Sequence, residues 1–209
     1  MGEETGLRAR KHRRTREAIR DAALRLFIER GFDDTAVEEI AAAADVAPRT
    51  FYRYFASKEE VIFHDPDAEA TLGRALAARR PGESDVELIA RAMLEAMLLH
   101  EERVVLARQI IDATPGLRGH VLHRVEQTAG LIADHLLSSG GRPGSAGRDA
   151  RFRAQVLAQS VAAAARLAFF AWIDAGRRGT AWAHCERALG ILRDAFQPTR
   201  RGRARNPRS

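Results

Sequence analysis

An all-α fold is predicted for this chain on three observations. Apolar residues recur at i, i+3 and i+4 along most of its length. Short Ser/Thr-x-x-Glu stretches stand ahead of several apolar runs, as capping boxes do. No sustained period-two alternation of Val, Ile and Thr marks a strand. The expected architecture is a small N-terminal helical unit followed by a larger C-terminal helical block.

The first helix is predicted over about 15–30, with Ile19, Ala23, Leu26 and Phe27 on one face. Gly31 follows as a natural C′ residue, where glycine tolerates a left-handed backbone. Thr35 to Glu38 fits a capping box opening the second helix, which ends near Ala44. After the short turn Asp45-Val46-Ala47, Pro48 restarts helix at N1, where its missing N–H costs nothing. Ser57 to Glu60 is a second box, opening a fourth helix through about Phe63. A helix over about 67–79 ends at Pro81-Gly82, and Ser84 to Glu87 opens a long helix with Leu88, Met93, Met97 and Leu98 inward. A break is expected near Asp112, a restart at Thr114-Pro115, and helix to about Leu137. The stretch SSGGRPGSAGR reads as a linker. Two last helices are expected over about 150–175 and 181–196.

The chain has 209 residues, 45% of them hydrophobic, enough to bury a core. No apolar run approaches the 18 residues of a membrane span, and the basic N-terminus has no apolar stretch behind it, so a cytoplasmic protein is expected. The single cysteine, Cys185, excludes an intrachain disulfide and reads as a small buried hydrophobe. The formal net charge of +6 is concentrated at the ends. Residues 8–16 carry six fixed cations and no acid, and the tail from Pro198 carries five arginines and no acid. A polyanion partner follows naturally from that placement. The expected division is a basic flexible arm over 1–14, a small helical unit over 15–64, a larger helical domain over 65–197, and a disordered Arg-rich tail over 198–209.

Helix, tight turn and short helix inside a three-helix unit form a helix-turn-helix, whose second helix can enter the DNA major groove. Here that helix is about Pro48 to Tyr54. Phe51 and Phe55 are expected to anchor it inward. Arg49 and Arg53 offer planar forks of donors that suit guanine O6 and N7, and the methyl of Thr50 suits thymine. The hydroxyls of Tyr52 and Tyr54, and the ammonium of Lys58, suit phosphate oxygens. Lys58 is one of two lysines among thirty-four basic residues, and it sits at a helix N-terminus.

The stretch from Thr15 to Ile62, with TFYRYF followed by SKEEV, resembles the DNA-binding domain of the TetR (tetracycline repressor) family. The resemblance implies an all-helical homodimeric regulator that binds a palindromic operator and is released by a small-molecule effector. Carried over by position, Thr35, Pro48, Arg49, Thr50, Tyr52, Arg53, Tyr54 and Lys58 fall where family members touch DNA. Ala47 departs from the serine often found as N-cap, which removes one cap bond worth about 1 kcal/mol.

Trp182, Cys185, Leu189, Leu192 and Phe196 are spaced 3, 4, 3, 4, an a/d seam that suits a homodimer. In the preceding helix Leu157, Val161, Ala164, Ala168 and Ala171 repeat at 4, 3, 4, 3. The alternative is a seam that faces only the chain's own core. For an apolar effector, the candidate lining is Met93, Met97, Leu98, Val105, Ile110, Ile111, Leu117, Val121 and Val125, with Phe169, Phe170 and Trp172 closing it. RQIIDATPGLR (Arg108 to Arg118) is similar to a segment in TetR-like regulators with acyl-CoA-binding-like C-terminal domains. That likeness implies an acyl chain in the cavity with Arg108 or Arg118 at its polar end, and both arginines equally suit helix-end salt bridges.

An enzyme is disfavoured. GGRPGSAG lacks the Gly-Lys-Ser/Thr ending and the strand context of a phosphate loop, and no GxSxG elbow occurs. His120 and His123 lie one turn apart without an obvious third ligand, so neither a metal nor a cofactor is expected.

Overall fold

The computed structural model describes residues 2–139 and 147–195, with side chains over 10–139 and 147–194. The described residues form ten α-helices and one 3₁₀ turn. They are α1 (Gly2–Arg30), α2 (Val37–Ala43), α3 (Pro48–Tyr54), α4 (Lys58–Phe63), α5 (Pro66–Ala77), α6 (Asp85–Leu99), α7 (Glu101–Ala113), the 3₁₀ turn Pro115–Leu117, α8 (Arg118–Ser139), α9 (Arg148–Asp174) and α10 (Ala181–Ala195). The 138–148 linker lies mostly outside the described residues, and the 198–209 tail wholly so.

Two apolar clusters organise the chain. The first gathers Ile19, Leu24 and Phe27 of α1, Ile40 of α2, Phe51 and Phe55, and Val61 of α4. Ile110 of α7 and Leu117 of the 3₁₀ turn complete it, each 2% exposed. The second packs α5, α6, α8, α9 and α10 around Leu88, Ile89, Ile132, Ala158, Ala165, Phe169 and Cys185. The Cys185 thiol is fully buried, and burial pushes it up to about 11, which keeps it un-ionised and inert at neutral pH. Helix α9 is long and apolar enough to span a membrane by length and composition, a correction to the reading that no stretch qualified. Its alanine-rich face packs against α6, α8 and α10.

Several boundaries differ from expectation. The basic segment 1–14, expected as a flexible arm, continues α1 upstream to Gly2. Arg, Lys, Ala, Leu and Glu are good helix formers, and no proline interrupts them. Thr35 does not cap α2: the N-cap is Ala36, and Glu39 at N3 accepts from the Ala36 amide at 2.9 Å. The Thr35 hydroxyl instead donates to the Gly31 carbonyl at 2.7 Å. Gly31 has φ +97, the left-handed C′ conformation expected of it. The long helix after Ser84 breaks at His100, whose backbone (φ −132, ψ 51) leaves the helical region without a Gly or Pro to announce it. The His100 imidazole reaches the Asp65 carboxylate at 2.8 Å. Leu98, expected inward, is 41% exposed.

The box at Ser84 forms as expected: its hydroxyl accepts from the Glu87 amide at 3.2 Å, and Glu87 accepts from the Ser84 amide at 2.9 Å. Beside it, Arg91 joins α5 to α6. Its guanidinium donates to Glu83 at 2.6 and 2.9 Å and to Glu95 at 3.1 Å. It also donates to the carbonyls of Ala75 and Ala78, orphan acceptors at the end of α5. The hydrogen bond from Arg91 holds the Glu83 carboxyl down at about 2. A depressed carboxylate contributes stability above its unfolded value, and that contribution is lost as pH falls through the folded one. The melting temperature should therefore fall as pH drops from about 4.5 towards 2, and less steeply in Glu83→Gln. That variant should also lose roughly 1–3 kcal/mol at pH 7, measurable by urea unfolding.

Candidate nucleic-acid interface

Helix α2, a turn and α3 form the expected unit. The turn closes through the Val46 amide donating to the Ala41 carbonyl at 2.9 Å, with Asp45 at φ 52. Asp is among the few side chains that tolerate this left-handed conformation. Helix α3 starts at Pro48 with no side-chain cap from Ala47, as the sequence implied. Phe51 and Phe55, one turn apart with ring centroids 5.7 Å from each other, are buried and seat α3 in the first apolar cluster.

That docking decides what faces out. Pro48, Arg49, Tyr52 and Arg53 are exposed, while Thr50 and Tyr54 are half-buried. Arg49, Tyr52 and Arg53 stand at i, i+3 and i+4 and share one helix face. The Arg53 guanidinium lies 5.2 Å from the centre of the Tyr54 ring, and that ring meets His12 of α1 in a tilted pair with centroids 4.5 Å apart.

Two of the eight expected DNA residues are used internally. Thr35 is 1% exposed, its hydroxyl bound as described above. Lys58, at the first turn of α4, donates to the carbonyls of Phe32 and Thr35, both at 2.8 Å, and its ammonium lies 4.6 Å above the Phe32 ring. It staples α4 to the loop before α2. The Ser57 hydroxyl caps α4 by accepting from the Glu60 amide at 3.4 Å.

Residues that sequence reasoning missed lie on α1. His12, Arg16 and Arg20, four apart, make one stripe against α3 and α4. Arg16 lies 5.0 Å from the Phe55 ring centre and donates to the His64 carbonyl at 3.4 Å. Arg20, 5% exposed, donates to the carbonyls of Val61 (3.2 Å) and His64 and faces Asp65 at 3.5 Å. Burial pulls the Arg20 pKa down while Asp65 opposes the shift. Burial pushes the Asp65 carboxyl up, but the hydrogen bond from His100 and the charge of Arg20 outweigh it and hold it below its usual value. The i, i+4, i+8 spacing was the available signal, obscured because the helix was started at Thr15.

The expected effector residues are only partly brought together. Met93, Met97, Phe169, Phe170 and Trp172 share the second cluster. Arg108 lies 4.6 Å from the Phe170 ring centre and pairs with Asp174 at 3.1 Å, one of the helix-end salt bridges foreseen for it. Ile110, Ile111 and Leu117 belong to the first cluster instead, Val121 is half-buried, and Leu98, Val125 and Arg118 are exposed. An open cleft lies elsewhere, between the α5–α6 loop, α6 and the start of α10, walled by Leu94, Leu98 and Trp182. Of the expected dimer residues, Val161, Ala164 and Ala168 are buried, and Leu157, Trp182 and Leu189 pack partly buried against the second core. Small residues on α9 serve close approach within the chain. Leu192 is exposed, and Phe196 lies outside the described residues.

A docked second helix presenting arginines beyond a tight turn defines the helix-turn-helix class of DNA-binding regulators. Residues 19–64 match the family model of bacterial regulatory proteins, tetR family. TcmR, an HTH-type transcriptional regulator of Streptomyces glaucescens, is 41% identical over 140 residues, 64% of this chain and 58% of that protein. The match thus spans less than two thirds of that relative's length. NalD, the secondary repressor of the MexAB-OprM multidrug efflux pump in Pseudomonas aeruginosa, aligns at TM-score 0.54 and 22% identity, covering 87% of this chain and 96% of NalD. FadR of Bacillus subtilis, in complex with stearoyl-CoA, aligns at TM-score 0.54 and 19% identity over 87% of this chain and 99% of FadR. At these identities the structural likeness establishes a shared fold.

The internal bonds of Lys58 set a test. Lys58→Met should cost about 1–3 kcal/mol in urea unfolding, because it leaves two carbonyls without their charged donor. Arg49→Ala and Arg53→Ala, on the exposed face, should change stability by no more than about 0.5 kcal/mol.

Proposed function

We propose that this chain is a ligand-responsive DNA-binding regulator, a repressor that binds a palindromic operator as a homodimer in the cytoplasm. The observation that carries the reading is α3: docked by Phe51 and Phe55, it turns Arg49, Tyr52 and Arg53 outward on one face. Arg49 and Arg53 read base edges, Thr50 meets a thymine methyl, and Pro48, Tyr52 and Tyr54 position the helix on the backbone. Thr35 and Lys58 maintain the unit, with their backbone rather than their side chains near the duplex.

The dimer face follows from what the core leaves uncovered. On α9, Phe152, Val156 and Leu167 are 68, 45 and 60% exposed, and on the neighbouring α10 Ile191 is 64% exposed. A second copy of the same chain covers these faces by two-fold symmetry, which matches a palindrome.

The effector we propose is small and apolar, an acyl-CoA being the first to test in view of the stearoyl-CoA bound by the similarly folded FadR. Met93, Met97, Phe169, Phe170 and Trp172 would hold its chain, and Arg108 its anionic end by exchanging Asp174 for the ligand. Helix α7 then supplies the link: Arg108 faces the effector cluster, while Ile110, two residues on, is buried in the DNA-binding core. An effector that binds the two arrangements of α7 unequally changes DNA affinity by that difference.

Fluorescence anisotropy with DNA from the chain's own upstream region, against scrambled DNA, tests the reading. Arg49→Ala or Arg53→Ala should lose about 1–3 kcal/mol of preference for the specific duplex. Leu167→Asp with Ile191→Asp should run as a monomer in light scattering and bind the palindrome far more weakly. Equal binding of specific and scrambled DNA by the unaltered dimer would refute the base-reading role of α3.

A further inference from the structure

The cleft between the α5–α6 loop, α6 and the start of α10 takes no part in DNA reading or in the effector cluster. Its volume is about 590 Å³, and small-molecule sites run from roughly 300 to 1,000 Å³. Along α6 its wall is Glu87, Arg91, Leu94, Glu95 and Leu98, which share one face at about 3.6 residues per turn. Met93 and Met97 leave α6 on another face and pack in the second core. Thr180, Ala181 and Trp182 form the wall on α10. The turn that brings Trp182 there is fixed. The Trp172 indole donates to the Gly179 carbonyl at 3.2 Å, and the Thr180 hydroxyl accepts from the Ala183 amide at 3.1 Å. The site is thus built before any ligand enters.

Its charge is one-sided. Arg91 and Glu83 neutralise each other inside the wall, at 2.6 and 2.9 Å, with side chains 9 and 8% exposed. Beyond that pair the lining carries Glu87, Glu95 and Arg80, two carboxylates against one guanidinium. Arg80 stands 3.9 Å from Glu95 and is 67% exposed, so water screens it. The amide and hydroxyl of Ser84 hold the Glu87 carboxyl below its usual value, and it stays ionised at neutral pH. Between these acids, Leu98 is 41% exposed and Trp182 is half-buried, which leaves apolar surface open to a ligand.

We infer that this cleft is a second small-molecule site, separate from the effector cluster, and that it takes an organic monocation with an apolar body. The body covers Leu98 and the indole of Trp182. The charged head is drawn to the indole through the ring quadrupole and to the carboxylate of Glu95, which lies beside Leu94 and Leu98 in the same wall. An anion would meet Glu87 and Glu95 and is excluded, so the acyl-CoA proposed for the effector cluster does not belong here. A ligand in the cleft touches α6 and α10 together and ties the start of α10 to the core.

The inference stands on the cleft and not on the DNA-binding reading, so no DNA enters its test. Three probes of similar shape and different charge are titrated into the full chain by calorimetry: (4-phenylbutyl)trimethylammonium, 4-phenylbutanol and 5-phenylpentanoate. The cation should bind about tenfold more tightly than the alcohol, and the carboxylate more weakly than either. Glu95→Gln should weaken the cation roughly two- to fivefold and leave the alcohol unchanged. Leu98→Arg, which fills the cleft and adds a like charge, should abolish binding of the cation. Circular dichroism checks the fold of both variants, and if Leu98→Arg does not fold, Glu95→Gln decides. No binding of the cation at millimolar concentration overturns the inference. Equal affinity for cation and alcohol, or tighter binding of the carboxylate, overturns the assignment of charge. Binding of the cation undiminished in the folded variants places it elsewhere and overturns the site. Failure of the chain to prefer its operator would refute the base-reading role of α3 and leave each of these outcomes as decisive as before.

Discussion

The buried guanidinium of Arg20 is the constraint on which the two parts of this molecule depend. An ion at 5% exposure is costly unless its donors are satisfied. Arg20 meets that demand with the carbonyls of Val61 and His64, the acceptors that the end of α4 leaves free, and with Asp65. Asp65 in turn accepts from the amides of Asp67 and Ala68, which opens α5, and from His100, where α6 gives way to α7. One charged cluster therefore fixes the end of α4, the start of α5 and the α6–α7 break relative to α1. Removing any member leaves a buried charge or an uncapped helix end.

Around that cluster the boundary between the two parts is not a linker. Ile110 and Leu117 complete the core of the DNA-binding unit, Arg103 of α7 pairs with Asp21 of α1 at 3.0 Å, and Phe63 stacks on His120 of α8 at 5.8 Å. Glu69 of α5 joins Arg124 of α8 at 2.7 Å. A division by sequence position after residue 64 assigns α7 wholly to the effector domain, whereas its side chains serve both cores. This is the physical basis of the proposed switch. A helix whose successive residues belong to two packed clusters cannot shift in one without disturbing the other, because cores at close-packed density do not absorb displacement locally.

What was legible in the sequence was local. Helix α3, Pro48–Tyr54, was placed to the residue because proline at N1 and the two phenylalanines are short-range signals. The Ser84 box was equally readable, since donor and acceptor lie three residues apart. What escaped was decided at long range. Lys58 had every property of a phosphate contact, yet the carbonyls of Phe32 and Thr35, more than twenty residues back, claim its ammonium. The alanine seam on α9 satisfied the periodicity of a dimer interface, but periodicity states that a face is buried without naming what buries it. The break at His100 is held by Asp65, thirty-five residues away, and no glycine or proline marks it.

The same distinction explains the mixture of aromatic and arginine side chains around α3. Each aromatic there has a structural partner: Phe51 and Phe55 face the core, Tyr54 meets His12, and Tyr52 meets the edge of Phe51 at 5.4 Å. The arginines divide by depth. Arg16 and Arg20 approach the Phe55 ring from inside at 5.0 and 5.6 Å, while Arg53 lies on the Tyr54 ring from outside. A guanidinium resting on an aromatic face loses less freedom on binding than one extended into water, because part of its ordering is already complete. The aromatic stretch thus holds α3 to the core on one side and restricts Arg53 on the other. A helix of seven residues, too short to be stable by itself, can present a side chain in a defined place only because both constraints act on it.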